Sequence, residues 1–159
     1  MQWTDEQLML LAIEQATLAM DQGEVPVGAV VCFDDEVIAR AYNGRERQKN
    51  PVAHAEILAL GGAAGRLGNW RLEGSTLVVT LEPCSMCAGA LVNARVDRVV
   101  FGASDPKAGA CGTLYNLCSD PRLNHEVSVT SGVLAKECGE LLQSFFSQRR
   151  VNNVVGQNN

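Results

Sequence analysis

Thr80-Leu81-Glu82-Pro83-Cys84-Ser85-Met86-Cys87 is the stretch on which both fold and chemistry turn. Just upstream, Ser75 to Leu81 is apolar and β-branched, and reads as a buried strand. Pro83 stops it, and Cys84 to Ala94 reads as a helix carried on by Ala88, Ala90 and Leu91. The i, i+3 spacing then puts Cys84 and Cys87 on one face of the first turn. Unpaired N–H groups and the positive end of the helix dipole favour thiolate over thiol there. Two thiolates facing one point are half of a tetrahedral zinc site.

The other half lies upstream, in Ala53-His54-Ala55-Glu56-Ile57-Leu58. His54 offers a neutral imidazole as third ligand, and a Cys₂His set leaves the fourth position open to water. Glu56 is close enough to reach that water without binding the metal. A zinc-polarised water has a pKa of roughly 7, and a nearby carboxylate can move the released proton. Taken alone, Cys-x-x-Cys after a strand also fits a thioredoxin-like redox dithiol or plain core cysteines. A redox dithiol uses neither His54 nor Glu56, whereas a hydrolytic metal uses both. A closed structural zinc site would need a fourth ligand from His125, Cys32, Cys111, Cys118 or Cys138. None of these has ligand spacing, and each reads more simply as a packed or hydrogen-bonded residue.

Composition narrows the class. The 159 residues fit one domain, with residues 1–150 as the zinc-dependent unit and the Asn-rich 151–159 as a frayed tail. With 47% hydrophobic and 19% charged residues the chain is ordinary for a globular protein, not a disordered one. No apolar run approaches the roughly 18 residues of a membrane span. Met1 to Glu6 lacks the basic and apolar regions of a signal peptide, and the six cysteines lack the spacing of a secreted scaffold. The expectation is a reducing cytoplasm. Net charge is −5, which argues against a nucleic-acid partner until its distribution is considered. Residues 1–39 carry eight acids and no Lys or Arg, so residues 40–159 hold all 13 basic residues against ten acids.

The remaining elements alternate. Thr4 to Asp21 is a helix with a Thr4/Gln7 capping box and a Gly23 stop. Val27 to Phe33 and Glu36 to Tyr42 form a hairpin across Asp34-Asp35. Asn43 to Val52 is an exposed loop carrying Arg45, Arg47 and Lys49, and Ala53 to Arg66 is a helix with His54 and Glu56 in its first turn. Asp97 to Gly102 and Glu126 to Thr130 are strands, and Val133 to Arg150 is the closing helix. A connection with a short helix near Leu114 to Leu117 joins the last two strands. Such alternation implies an α/β domain with part of its sheet parallel, and a site where helix N-termini meet strand ends. Spacing alone makes Asn43 a turn residue, with a base-reading amide as the alternative. Arg149-Arg150 complements the helix dipole, with phosphate contact as the alternative.

His-x-Glu with Pro-Cys-x-x-Cys resembles the signature of the zinc deaminases of the cytidine-deaminase-like superfamily. Glu24-Val25-Pro26-Val27-Gly28-Ala29-Val30, Leu81 to Ala90, Val99 to Ala103 and Ser144-Phe145-Phe146 resemble the bacterial tRNA-specific adenosine deaminases. Phe101-Gly102-Ala103-Ser104-Asp105-Pro106-Lys107-Ala108-Gly109-Ala110 narrows the likeness towards those members. The resemblance covers most of residues 5–150. It implies a three-layer α/β/α fold with a five-stranded mixed sheet, a homodimer, and conversion of adenosine to inosine at the first anticodon position of an arginine tRNA. It implies that His54, Cys84 and Cys87 hold zinc, that Glu56 shuttles protons, and that Asn43 contacts the base. The Ala103–Gly109 loop, with Asp105 and Lys107, would approach neighbouring nucleotides of the anticodon stem-loop. The tail after Arg150 has no basic residues, which departs from an RNA-binding extension. A deaminase of a free nucleobase or nucleoside is the runner-up within the class. A structural zinc module that binds nucleic acid and a thioredoxin-like protein stand outside it.

Overall fold

The computed structural model describes residues 2–157. α1 (Asp5–Asp21) opens on the expected capping box: the Gln7 N–H donates to Thr4 Oγ1 and the Thr4 N–H to Gln7 Oε1. β1 (Gly28–Phe33) and β2 (Glu36–Tyr42) follow as a hairpin. Asp34 and Asp35 both take positive φ, 50° and 58°, which gives the turn the handedness that suits twisted strands. Then come α2 (Ala55–Leu67), β3 (Ser75–Leu81), α3 (Ser85–Ala94), β4 (Arg98–Ala103), β5 (Ser128–Thr130) and α4 (Ala135–Gln157).

The sheet is five-stranded, in the order β2-β1-β3-β4-β5. β1 pairs antiparallel with both β2 and β3, while β3, β4 and β5 run parallel, so the sheet is mixed as expected. Alternation along the strands splits the core into two layers. Val30, Val78 and Val100 align in register and bury against Leu8, Met9 and Ala12 of α1 and Cys138 of α4. Val31, Leu77, Val79, Val99 and Phe101 bury on the other face with residues of α2 and α3. Each fully buried Val or Leu contributes about 1.5–3 kcal/mol, more than an exposed ion pair, so these two apolar faces fix the register. Gly28 lets α1 lie against the sheet, since a Cβ there would sit 2.0 Å from the Ala12 carbonyl oxygen.

Three local expectations are corrected. The short helix near Leu114 to Leu117 does not form. That segment folds back on itself, Cys111 bridging Asn116, Gly112 taking φ 135° and the Leu117 N–H reaching the Ala110 carbonyl at 3.0 Å. A four-residue helix has too few internal bonds to offset its nucleation, and these bonds across the turn replace it. α4 continues past Arg150 to Gln157, so the backbone of 151–157 is helical, while residues 158 and 159 lie outside the described residues. β5 has just three residues, because chain from Glu126 to Val127 reaches the sheet edge without pairing. No described helix is long and apolar enough to cross a membrane.

Arg98 of β4 grips Asp5 of α1 with two bonds, 2.8 and 2.7 Å, in a half-buried pair. The Arg98 hydrogen bond, against a smaller cost of burial, holds the Asp5 carboxyl below its ordinary 3.8. A depressed carboxylate stabilises the fold above its unfolded pKa, and that contribution disappears as pH falls through the folded value. Asp5→Asn should therefore cost about 1 kcal/mol near neutral pH. Urea melts of both proteins should converge as pH drops below 3.8; a gap that stays constant into acid would refute the linkage.

Candidate active site

Register gathers the site at one end of the sheet. Gly28, at the start of β1, pairs with Tyr42 at the end of β2, and Leu81, at the end of β3, pairs with Ala103 at the end of β4. The segments 24–27, 43–54, 82–84 and 104–113 therefore emerge side by side. α2 and α3 both point their N-termini into the same space. A pocket of about 180 Å³ opens there, lined among others by Val25, Val27, Asn43, Arg45, His54, Glu56, Leu81, Glu82, Cys84 and Asp105.

His54 and Cys84 stand one residue before their helices, not within the first turn. Both are N-caps with extended backbone, φ −77° and −72°, and neither caps its own helix by a side-chain hydrogen bond. Their side chains are thereby free to turn towards each other. Cys87 is the third residue of α3, and N-cap and N3 side chains approach each other as in a capping box. Here they converge on His54: its Nδ1 lies 3.7 Å from Cys84 Sγ and 3.5 Å from Cys87 Sγ. The three donor atoms all fall within 4.8 Å of one another.

That arrangement fits a tetrahedral metal. Zinc bonds of about 2.3 Å to sulfur and 2.0 Å to nitrogen imply an N···S edge of about 3.5 Å. Among the described residues no further His, Cys, Asp or Glu joins the cluster. His125 Nε2 lies 2.7 Å from the Val96 carbonyl, as donor, and Cys111 pairs with Cys118 at 3.7 Å. The fourth-ligand candidates of a closed structural site are thus spent elsewhere or absent from the cluster.

The electrostatics match the residue types. The Cys87 thiol donates to Cys84 and, with His54, holds the Cys84 thiol down to about 4, while Cys87 itself is pushed up by the same bond. The Cys84 contact also raises the His54 pKa, against burial. Glu56, 4% exposed, is raised by desolvation, partly offset by its own backbone N–H and by His54. A carboxyl tuned upward in a small apolar pocket is suited to taking and giving a proton.

Glu82 lines the same pocket but is occupied differently. Its carboxylate accepts from the N–H of Asp105 at 3.0 Å, those of Cys111 and Thr113 at 3.1 Å each, and the Thr113 hydroxyl at 2.5 Å. Burial pushes its pKa up, and these donors, Thr113 first, outweigh it and leave the group below its ordinary value. Glu24, 1% exposed, holds the opposite rim by accepting from the N–H of Glu46 at 3.1 Å and of Arg47 at 2.5 Å. Sequence reasoning gave neither glutamate a role. The available signal was an acid closing an apolar run, in Gly23-Glu24-Val25-Pro26 and Leu81-Glu82-Pro83, where a solvated end of strand was the simpler account.

Asn43 serves as a turn residue and also lines the pocket. Its Nδ2 donates to the Val25 carbonyl at 3.2 Å and its Oδ1 accepts from the Arg45 N–H at 3.1 Å. One amide hydrogen and one oxygen lone pair remain for a ligand. Asp105 borders the pocket and caps its own loop, accepting from the N–H of Lys107 at 2.9 Å and of Ala108 at 3.2 Å. Lys107 does not line this pocket. It lies on an adjoining groove of about 940 Å³, with Asp105, Leu142, Phe146 and Arg150. Arg47 stacks over the Tyr42 ring at 4.7 Å, and Arg149 over Phe145 at 5.6 Å.

Comparison with known proteins places this geometry. The MafB19-like deaminase family matches residues 3–150. A tRNA-specific adenosine deaminase of Bacillus subtilis is 52% identical over 155 residues, 98% of this chain and 96% of that protein. One from Haemophilus influenzae is 50% identical over 152 residues, 95% and 88% of the two chains. Among solved structures, one from work on A-to-I editing by tRNA:A34 deaminases at the wobble position superposes with a TM-score of 0.82 at 43% identity. It covers 85% of this chain and 98% of the other. A guanine deaminase from Nitrosomonas europaea superposes with a TM-score of 0.79 at 26% identity, covering 89% and 84%. Identity of this extent over nearly the whole of both chains shows that this chain belongs to the tRNA-specific adenosine deaminases, a deaminase family of three-layer α/β/α fold.

Proposed function

We propose that this chain is a zinc-dependent hydrolase that converts adenosine to inosine at the wobble position of a tRNA, an arginine tRNA by the resemblance of its sequence. The observation that carries the chemistry is the convergence of His54, Cys84 and Cys87 beside a buried glutamate in a base-sized pocket. Held by those three residues, zinc supplies the Lewis acidity that brings a water to a pKa of about 7. The rest falls to the chain. Val25, Val27 and Leu81 form apolar walls that exclude bulk water. Asn43 offers its spare donor and acceptor to the base. Glu56 takes the proton from water, passes one to the adenine ring, and completes the protonation of the departing ammonia. Water enters, C6 exchanges nitrogen for oxygen, and ammonia leaves.

The RNA part rests on the groove beside the pocket. Lys107 and Arg150 are cationic, and Phe146 is 41% exposed, so charge and an aromatic face lie next to the reacting base. Arg45 lines the pocket mouth. Residues 1–150 act as the deaminase domain in this reading, and the last turns of α4 beyond Arg150 lie outside it. A tRNA substrate places the enzyme in the bacterial cytoplasm. The homodimer belongs to the same reading, supported by an exposed apolar groove between α2 and α3 lined by Ile57, Leu60, Trp70 and Ala90; light scattering tests it.

Remote binding energy can be used in the transition state, so a truncated substrate loses turnover as well as affinity. Ammonia release should be readily measured with an arginine-tRNA anticodon stem-loop. With free adenosine, adenine, cytidine or guanine it should be below about one hundredth of that rate. Binding of the stem-loop should weaken steeply with salt, and reversing the charge of Arg45 or Lys107 should flatten that slope. Fast turnover of guanine or another free base, with the stem-loop inert, would replace this reading by a nucleobase deaminase.

A further inference from the structure

Two buried glutamates line the catalytic pocket, and only one of them is free to act on a substrate. A carboxylate has about four lone-pair sites. All four of Glu82 are taken, by the N–H groups of Asp105, Cys111 and Thr113 and by the Thr113 hydroxyl. The residue is 2% exposed. Two further backbone bonds flank this clamp, one at the end of β4 where the loop begins and one within the loop. The Glu82 N–H donates to the Ala103 carbonyl at 2.8 Å and the Ala110 N–H to the Pro83 carbonyl at 2.9 Å. Gly109 completes the cradle, since a Cβ there would meet the Glu82 carboxylate at 2.4 Å.

We infer that Glu82 is a positioning residue: its carboxylate clamps loop 104–113 to the end of β3, and so sets where Asp105 and Lys107 stand relative to the base held at His54 and Glu56. The loop carries no helix or strand of its own, and its residues between Ala103 and Cys111 close one wall of the pocket. Without the clamp, that wall would be tied to the end of β3 by the Ala110–Pro83 backbone bond and otherwise by bonds within residues 109–117. Glu82 immediately precedes Pro83-Cys84, so one short segment fixes both a metal ligand and the loop facing it. Glu24 holds the opposite rim in the same way, through the Glu46 and Arg47 N–H groups. The role in substrate grip rests on the deaminase reading above; the clamp itself does not.

Three variants of the zinc-loaded protein test this. Glu82→Gln keeps the size but turns an NH₂ towards at least one N–H donor, whichever way the amide lies. Thr113→Val removes just the hydroxyl bond, and Thr113→Ser keeps it. Hydrogen exchange, run without substrate, should show the amides of Asp105, Cys111 and Thr113 exposed about tenfold or more in Glu82→Gln. Those of Ala88 to Leu91 in α3 should keep their protection, and the zinc content should not change. KM is then measured on whichever substrate of the panel the wild type turns over. It should rise about tenfold in Glu82→Gln and less in Thr113→Val, with kcat within about threefold and Thr113→Ser close to wild type. Unchanged loop protection in Glu82→Gln would overturn the clamp. Lost zinc would make Glu82 a support for Cys84 instead, and a fall in kcat with KM and protection intact would make it part of the chemistry. A stem-loop that the wild type does not turn over would sink the tRNA reading while the exchange result still decided the clamp.

Discussion

Replacing Glu56 by glutamine should leave one zinc per chain and an unchanged melting curve, and should cut turnover about a thousandfold or more. Glu56 is buried at 4% exposure in the first turn of α2, and desolvation raises its carboxyl pKa. It is not one of the three clustered donors, so its loss does not remove a ligand. Glutamine fills the same space and keeps an oxygen, but it cannot carry a proton between water, ring and leaving group. General acid–base groups contribute typically 10²–10⁴-fold, and this one is used for more than one transfer, which sets the expected size. Metal analysis and ammonia release on the same preparation decide it. A variant that loses zinc and fold together would make Glu56 structural; a variant that keeps wild-type turnover would remove it from the mechanism.

The second large effect concerns the ligands. Cys87→Ser should bring zinc to below about a tenth of an ion per chain after dialysis and abolish activity, because a three-residue set has no donor to spare. Cys87 is fully buried at the third position of α3, and a serine hydroxyl there is a poor zinc ligand. Cys111→Ser is the matched control. That thiol is also buried, but its partner is Cys118 rather than His54, so zinc should stay. Wild-type protein treated with a chelator should lose activity and regain it on adding zinc. Equal zinc loss in both variants would point to general unfolding, and reversible Cys84–Cys87 oxidation with His54 dispensable would restore the redox alternative.

Much of this protein was determined by local sequence. The Thr4/Gln7 box started α1 and the Asp34-Asp35 turn joined the hairpin, because caps and turns depend on a few adjacent residues. β2 and β3 ran over the residues their apolar and β-branched pattern marked, since both layers of the core read the same two-residue alternation. The meeting of His54, Cys84 and Cys87 was expected for a chemical reason: a metal with open coordination would use those residue types, and the three donors do cluster. The helix expected near Leu114 does not form, because bonds across a turn, between residues five to seven apart, outweighed local propensity.

Tertiary structure alone decided how these pieces meet. The register that sets Gly28 beside Tyr42 and Leu81 beside Ala103 brings four loops to one end of the sheet, and no local pattern encodes it. Glu82 and Glu24 look in sequence like ordinary acids at the ends of strands. Their partners lie 22 to 31 residues away, so only folding reveals that each is buried, Glu24 under two backbone donors and Glu82 under three with the Thr113 hydroxyl. A buried carboxylate is stable just where such donors have been brought to it, and chain topology, not neighbouring sequence, brings them.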